Sequence, residues 1–279
     1  MQKNLVIVRG GGDIATGTIQ ALVRAGFSVL VLETLHPSAI RRQVALSEAV
    51  YDGTASVEDI KARLCSQIQD IYMVWQNGEV PVLVDPQGAA IAKLKPWAVV
   101  DAILAKRNMG TMRSMARHTI ALGPGFTAGQ DVNAVIETMR GHDLGRIIWS
   151  GQALPNTGIP GIVGGYSAER VIHSPAEGYF YGINRIGCMT EKGQGIGVIL
   201  DRPMQDGDVS SAVCRAVVRS SLSGLIRGMI RNAYAVTKGF KIADIDPRRD
   251  QLANCFTISD KARCLGGSVV TALFCLENH

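Results

Sequence analysis

No run of apolar residues approaches the roughly 20 that a membrane-spanning helix needs, so an integral helical membrane protein is not expected. Six cysteines (65, 188, 214, 255, 264 and 275) are scattered through the 279 residues. None forms a C-x-x-C pair or a zinc-ligand spacing, and five dispersed histidines add no cluster. Reduced thiols and no protein-ligated metal are therefore expected. Aromatic residues make up only 5%, and the net charge of +5 is mild and unclustered, which gives no nucleic-acid footprint. P-loop, G-x-S-x-G and H-E-x-x-H motifs are all missing. Met1-Gln2-Lys3-Asn4 leads straight into an apolar strand without a signal-peptide pattern, so the expected location is cytoplasmic.

Glycine, by contrast, is plentiful at 31 residues, and the chain is organised around its first glycine cluster. The apolar run Leu5 to Val8 reads as a strand, and Arg9-Gly10-Gly11-Gly12-Asp13-Ile14-Ala15 follows at once. Ile14, Thr18, Ile19, Leu22 and Val23 then fall on one helical face, and a second apolar run, Ser28 to Leu32, ends in Glu33. Gly10-x-Gly12-x-x-Ala15 fits the dinucleotide-binding G-x-G-x-x-G/A pattern, in which the helix N-terminus receives a phosphate. Glu33 is placed to accept from a ribose, and Arg41 and Arg42 to clamp a phosphate or to form an exposed basic turn. Asp13, at the start of the helix, opposes a phosphate held close by.

Further along, Pro37 opens a predicted helix over 39–50. Ser56-x-x-Asp59 reads as a capping box for another, with Ile60 and Leu64 inward. Ile68, Ile71, Tyr72 and Trp75 mark a third, capped at Asn77-Gly78. Strands are expected at 80–84, 98–104, 118–122 and 146–149. Asp85 closes the first of these and Asp101 lies inside the second. The third opens into Gly123-Pro124-Gly125-Phe126-Thr127, behind which Val132, Val135, Ile136 and Met139 suggest a helix with Asp131 as its N-cap. Two glycine loops and Asp85 would then line one crevice at the strand ends. The loop from Pro155 through Pro160 to Gly165 marks an approximate boundary.

Beyond residue 172 an internal repeat appears at an offset of 46: Gly178/Gly224, Gly182/Gly228, Arg185/Arg231, Lys192/Lys238, Ile196/Ile242 and Ile199/Ile245. Two such halves should close as a small pseudo-twofold β-barrel. The module resembles the biotinyl/lipoyl barrel-sandwich hybrid without its carrier lysine. A terminal helix is expected over 259–276, packed on the first domain. Cys255, near Lys261 and Arg263, is either a small buried hydrophobe or a thiol activated for catalysis.

The expected fold is thus α/β: a Rossmann-like, doubly wound, mostly parallel sheet, then a barrel-sandwich-hybrid-like domain and a C-terminal helix. The expected boundaries are 1–168, 169–248 and 249–279. The glycine start, Pro81-Val82-Leu83-Val84-Asp85-Pro86, Val100-Asp101-Ala102, Leu122 to Gly129, Glu137-Thr138-Met139-Arg140-Gly141-His142, Asp246-Pro247-Arg248 and the Cys255 to Arg263 run resemble the YqeB-type family. These are accessory proteins of selenium-dependent molybdenum hydroxylase systems. The N-terminal half is similar in style to XdhC-type proteins, which bind molybdenum cofactor. The resemblance implies that Gly10 to Ala15 and Gly123 to Thr127 hold the phosphate and pterin parts of molybdopterin, and that a molybdenum hydroxylase or its maturation proteins are partners. An NAD(P)-dependent oxidoreductase and a non-catalytic interaction protein are the rival readings, and a homodimer is a reasonable base-rate expectation.

Overall fold

The computed structural model describes residues 4–159, 161–204 and 212–278; Pro160 of the Gly/Pro loop lies outside them. The chain forms two compact units. One comprises 1–37, 44–157 and 258–279, and the other comprises 38–43 and 158–257. These limits differ from the expected ones because the chain crosses into the second unit early, at 38–43, and residues from 258 onward belong to the first.

In the first unit, β1 (Leu5–Arg9) turns into α1 (Asp13–Arg24) and then β2 (Ser28–Glu33). After α2 (Ala49–Asp52) come β3 (Thr54–Val57), β4 (Ile60–Cys65), α3 (Ile71–Gln76), β5 (Val80–Val84), α4 (Ala89–Leu94), β6 (Ala98–Asp101) and β7 (His118–Leu122). The short strands β8 (Thr127–Ala128), β9 (Ala134–Ile136), β10 (Ile147–Ile148) and β11 (Gly151–Gln152) follow. β1, β6 and β7 are buried along their whole length, which explains their continuous apolar runs. Among the described residues the main sheet has nine strands in the order β10-β9-β7-β6-β1-β2-β5-β4-β3.

The expected architecture needs correction on both of its parts. The sheet is mixed: its inner pairs are parallel, but β10/β9 and β3/β4 are antiparallel at its two edges. Helical layers are also thin. The predicted helix over 39–50 is mostly 3-10 turns, at Arg42–Val44 and Leu46–Glu48. The predicted capping box is a hairpin turn, with Glu58 at φ 53° between β3 and β4. Val132 to Ile136 supplies β9, parallel to β7, instead of a helix.

The β4 to β5 edge carries a pH-sensitive tie. Glu79 accepts from both Arg63 and Lys61, the latter at 2.8 Å, and these cations hold its carboxyl down at about 2 from an ordinary 4.5. A depressed carboxylate contributes stability above its unfolded pKa and loses it as pH falls through the folded one. Glu79→Gln should therefore flatten the loss of stability between about pH 4.5 and 2, read as urea midpoints across that range.

The second unit is also not the expected barrel-sandwich hybrid. Its strands are β12 (Val171–His173), β13 (Gly178–Gly182), β14 (Met189–Thr190), β15 (Gly195–Leu200), β16 (Cys214–Arg219), β17 (Gly224–Met229), β18 (Tyr234–Val236) and β19 (Lys241–Asp246). Among the described residues they make two antiparallel sheets of four, β12-β19-β17-β14 and β16-β15-β13-β18, over one apolar core. Each sheet takes its two central strands from one half of the repeat and its two edges from the other, so neither half has a complete sheet alone. The offset holds in atomic detail. A Cβ at Gly178 would lie 2.3 Å from the Leu200 carbonyl oxygen, and one at Gly224 would lie 2.3 Å from the equivalent Asp246 oxygen.

α5 (Asp260–Asn278) closes the first unit against α1. The two helices meet at Gly17, Ala262 and Gly266, where backbone touches backbone. That contact sets the position of the α1 N-terminus. Among the described residues no helix is long and apolar enough to cross a membrane.

Candidate functional site

The turn after β1 is built from three glycines with different duties. Gly10 has φ 95°, and a Cβ there would lie 2.9 Å from the Ala102 carbonyl oxygen, so both conformation and space require glycine. Gly11 donates its N–H to Glu33 Oε2 at 2.8 Å and accepts from the Ser47 N–H at 2.8 Å. Gly12 caps α1 with an ordinary φ of −66°, and a Cβ built on it meets nothing within 4 Å. Its carbonyl accepts from the Thr16 N–H and hydroxyl, both at 2.9 Å. The turn is thus held from beneath. Its face at Gly12, Asp13 and Ile14 is half-buried, while Ala15 packs inside.

The acids at the strand ends serve the scaffold. Glu33 accepts on both oxygens, from Gly11 and from the Thr34 N–H at 2.7 Å. Burial pushes its carboxyl up while those two N–H groups pull it back. Asp85 caps α4 through the Ala89 and Ala90 N–H groups at 3.0 and 2.7 Å. Asp101 accepts from the Ile103 N–H at 3.1 Å and the Thr111 hydroxyl at 2.5 Å, with Arg9 at 4.0 Å. Burial raises it too. Arg9 also donates to Thr111, Pro86 and Met109, so a polar knot with Arg9, Asp101 and Thr111 buried at its centre ties the ends of β1, β5 and β6. An arginine closing an all-apolar strand and an acid closing β6 are its traces in the sequence; Thr111 leaves none.

The second glycine loop does not repeat the first. A Cβ at Gly123 would lie 2.7 Å from Thr138 Oγ1, and Gly125, at φ 107°, sits against the Arg107 backbone at 2.5 Å by the same measure. Phe126 is buried, and the Thr127 N–H donates to Asp131 at 2.7 Å. Its glycines serve close packing and a strand-to-strand turn, and Pro124 lies between them.

Arg41 and Arg42 belong to the second unit. There Arg41 donates to the Asn254 and Thr257 carbonyls at 3.0 and 3.2 Å, and Arg42 to the Met229 carbonyl at 3.1 Å. They are structural donors within that unit. Cys255 is buried in the same unit. Burial raises its thiol, opposed by Arg227 and Arg41, so it lacks the depressed pKa of an activated nucleophile.

In the sequence Lys261 stands out only as a neighbour of Cys255; it lies in the first unit, at the start of α5. Burial and then Arg140 push its ammonium pKa down, while Asp13, Glu137 and Asp260 pull the other way. Arg140 itself is bidentate to Asp260 at 3.0 and 3.1 Å. Glu137 accepts the Met139 and Leu154 N–H groups, each at 2.7 Å. A half-buried ammonium is therefore within electrostatic reach of Asp13 at the glycine turn. Among the described residues no group of three or more His, Cys, Asp or Glu is arranged to hold a metal ion.

No family model matches the chain. It is 44% identical over 275 residues to the uncharacterized protein YqeB of Escherichia coli (strain K12), covering 99% of this chain and 48% of that protein. The chain thus spans about half the length of the curated relative it matches, and the likeness supports the YqeB-type resemblance. Among solved structures it is similar to succinylglutamate desuccinylase/aspartoacylase from Rhodobacter sphaeroides (13% identity, 88% of this chain and 86% of that one, TM-score 0.29). It is also similar to an aspartoacylase family protein from Mesorhizobium loti (13%, 86% and 84%, TM-score 0.25). A third is the product-bound ectoine utilization protein EutE (DoeB) from Ruegeria pomeroyi (11%, 86% and 56%, TM-score 0.24). These are aspartoacylase and desuccinylase types, and at such scores no site is carried over from them.

Proposed function

We propose that this chain is a YqeB-type accessory protein of a selenium-dependent molybdenum hydroxylase system, and that it holds a phosphate-bearing ligand on the Gly10–Asp13 turn. The ligand classes are molybdenum cofactor or a related pterin or nucleotide phosphate. The family part rests on the 44% likeness to YqeB and on the motifs above. The molybdenum part rests on the family resemblance alone.

One observation carries the binding reading: the open face at Gly12. Gly10 and Gly11 are glycines for the sake of the scaffold, whereas a Cβ at Gly12 would meet nothing within 4 Å, which leaves the first turn of α1 open to an anion. Lys261 offsets the negative charge of Asp13 there. These residues fit a phosphate. They leave the pterin end unassigned, because the Gly123 to Thr127 loop is consumed by packing. When bound, such a cofactor would bring its own redox chemistry. This chain's part is to bind it, position it and pass it to a hydroxylase or its maturation proteins.

Gly12→Val separates binding from folding. Its φ suits any residue and its Cβ has room, so the only cost is the poorer N-cap preference of valine, and the melting temperature should stay within about 4 °C of wild type. Ligand retention should fall by about tenfold or more, the effect of closing the approach to the turn. Equal retention by the variant would refute the site. The NAD(P) reading draws on the same turn and on Glu33, but both oxygens of that carboxylate already accept backbone N–H groups. Saturable NADH binding that depends on Glu33 would favour it instead.

A further inference from the structure

At the end of the inner strands opposite the glycine turn lies a concavity of about 590 Å³. It opens where β1, β2, β6 and β7 begin, under the last turns of α5. Its volume is in the range of small-molecule sites. Phe27 and Trp97 form one wall, stacked at 5.4 Å between centroids and 18° between planes. Leu273 and Phe274 of α5 form another, and Phe274 is 69% exposed.

The polar groups at this mouth are unevenly satisfied. Glu277 accepts from His118 Nε2 at 2.9 Å, from Arg117 at 3.2 Å and from the Trp97 side chain. Three donors converge on it. Arg117 engages Glu277 through Nη1 and Nη2, and the guanidinium fork has five N–H donors in all, so several remain for another acceptor. The mouth is therefore an aromatic slot in which Arg117 pairs with Glu277 and keeps further N–H donors for another acceptor.

We propose that this slot binds a small planar aromatic acid, its ring against Trp97 and Phe274 and its carboxylate on Arg117. Aromatic faces supply the contact area and the charge-assisted fork supplies orientation. This inference does not depend on the glycine-turn reading, since it uses the other end of the strands.

The test is calorimetric titration of the full chain with 2-naphthoate and with its neutral counterpart 2-naphthylmethanol. Naphthoate should bind once per chain, and the alcohol about tenfold more weakly or worse. Arg117→Gln should remove that preference. Phe274→Glu, at an exposed position that leaves the core intact, should weaken naphthoate by about tenfold or more. Gly12→Val should bind naphthoate like wild type. The proposal is overturned by no binding at millimolar naphthoate, by equal binding of the alcohol, or by affinity unchanged in both slot variants. It is likewise overturned by a dimer that Phe274→Glu disperses, which would make the slot a contact between copies of this chain.

Discussion

Gly17→Val should cost about 3 kcal/mol or more of stability, among the largest effects for a single surface-free substitution in the first unit. A Cβ at Gly17 would lie 2.5 Å from the Ala262 carbonyl oxygen, and one at Gly266 would lie 2.5 Å from the Gly17 oxygen. Both obstacles are backbone, which cannot rotate aside, so α1 and α5 would have to separate. The same displacement would move the first turn of α1, which carries Gly12 and Asp13. Gly267, one residue on, is the internal control. Nothing lies within 4 Å of its Cβ position, so Gly267→Ala should be neutral or stabilising by up to about 1 kcal/mol. Urea unfolding of the two variants reads the contrast. Similar midpoints for both would show that the helices do not need their close contact.

Asp101→Ala should cost about 3–5 kcal/mol, because it strands the buried Arg9 guanidinium with only neutral acceptors. Asp101→Asn should cost less, since an amide oxygen can still accept from Thr111 or Ile103. Removing both charges, as Arg9→Met with Asp101→Leu, should recover much of the loss, since the penalty lies in the unpaired charge. Chemical denaturation of the three variants measures this. A loss under about 1 kcal/mol for Asp101→Ala would mean that the knot does not hold the strand ends.

Strongly periodic or fully apolar stretches were legible in the sequence. Leu5 to Val8, the face of Ile19 and Leu22, Val80 to Val84 and His118 to Leu122 became the strands and helix their patterns predicted, and the terminal periodicity became α5. The 46-residue offset was legible as well, and by it β13 corresponds to β17 and β15 to β19, in different sheets. Short segments failed because their partners are distant. Ser56 to Asp59 looks like a cap locally, yet Glu58 and Asp59 are held by Gln20, with Arg263 on Glu58 and Arg24 on Asp59. Val132 to Ile136 fits either period, and the edge of β7 decided for a strand. The antiparallel edges of the main sheet and the interlocked halves of the second unit are encoded by no local pattern.

The site follows the same division. Gly10 to Gly12 is a local motif, and the turn it makes between β1 and α1 is legible. Glu33 and Asp85 were readable as strand-end acids, but their commitment to backbone N–H groups was not. Arg41, Arg42 and Cys255 were grouped by sequence proximity with residues of the other unit, and Lys261 was missed because α5 returns from far along the chain.

The central claim is that the open face at Gly12 holds a phosphate-bearing ligand. Mass spectrometry of the small molecules released from the denatured native protein tests it most directly, with Gly12→Val run alongside. The wild type should release a pterin or nucleotide phosphate near one per chain, and the variant should lack it. An empty wild-type protein, or a ligand retained equally by both, would contradict it.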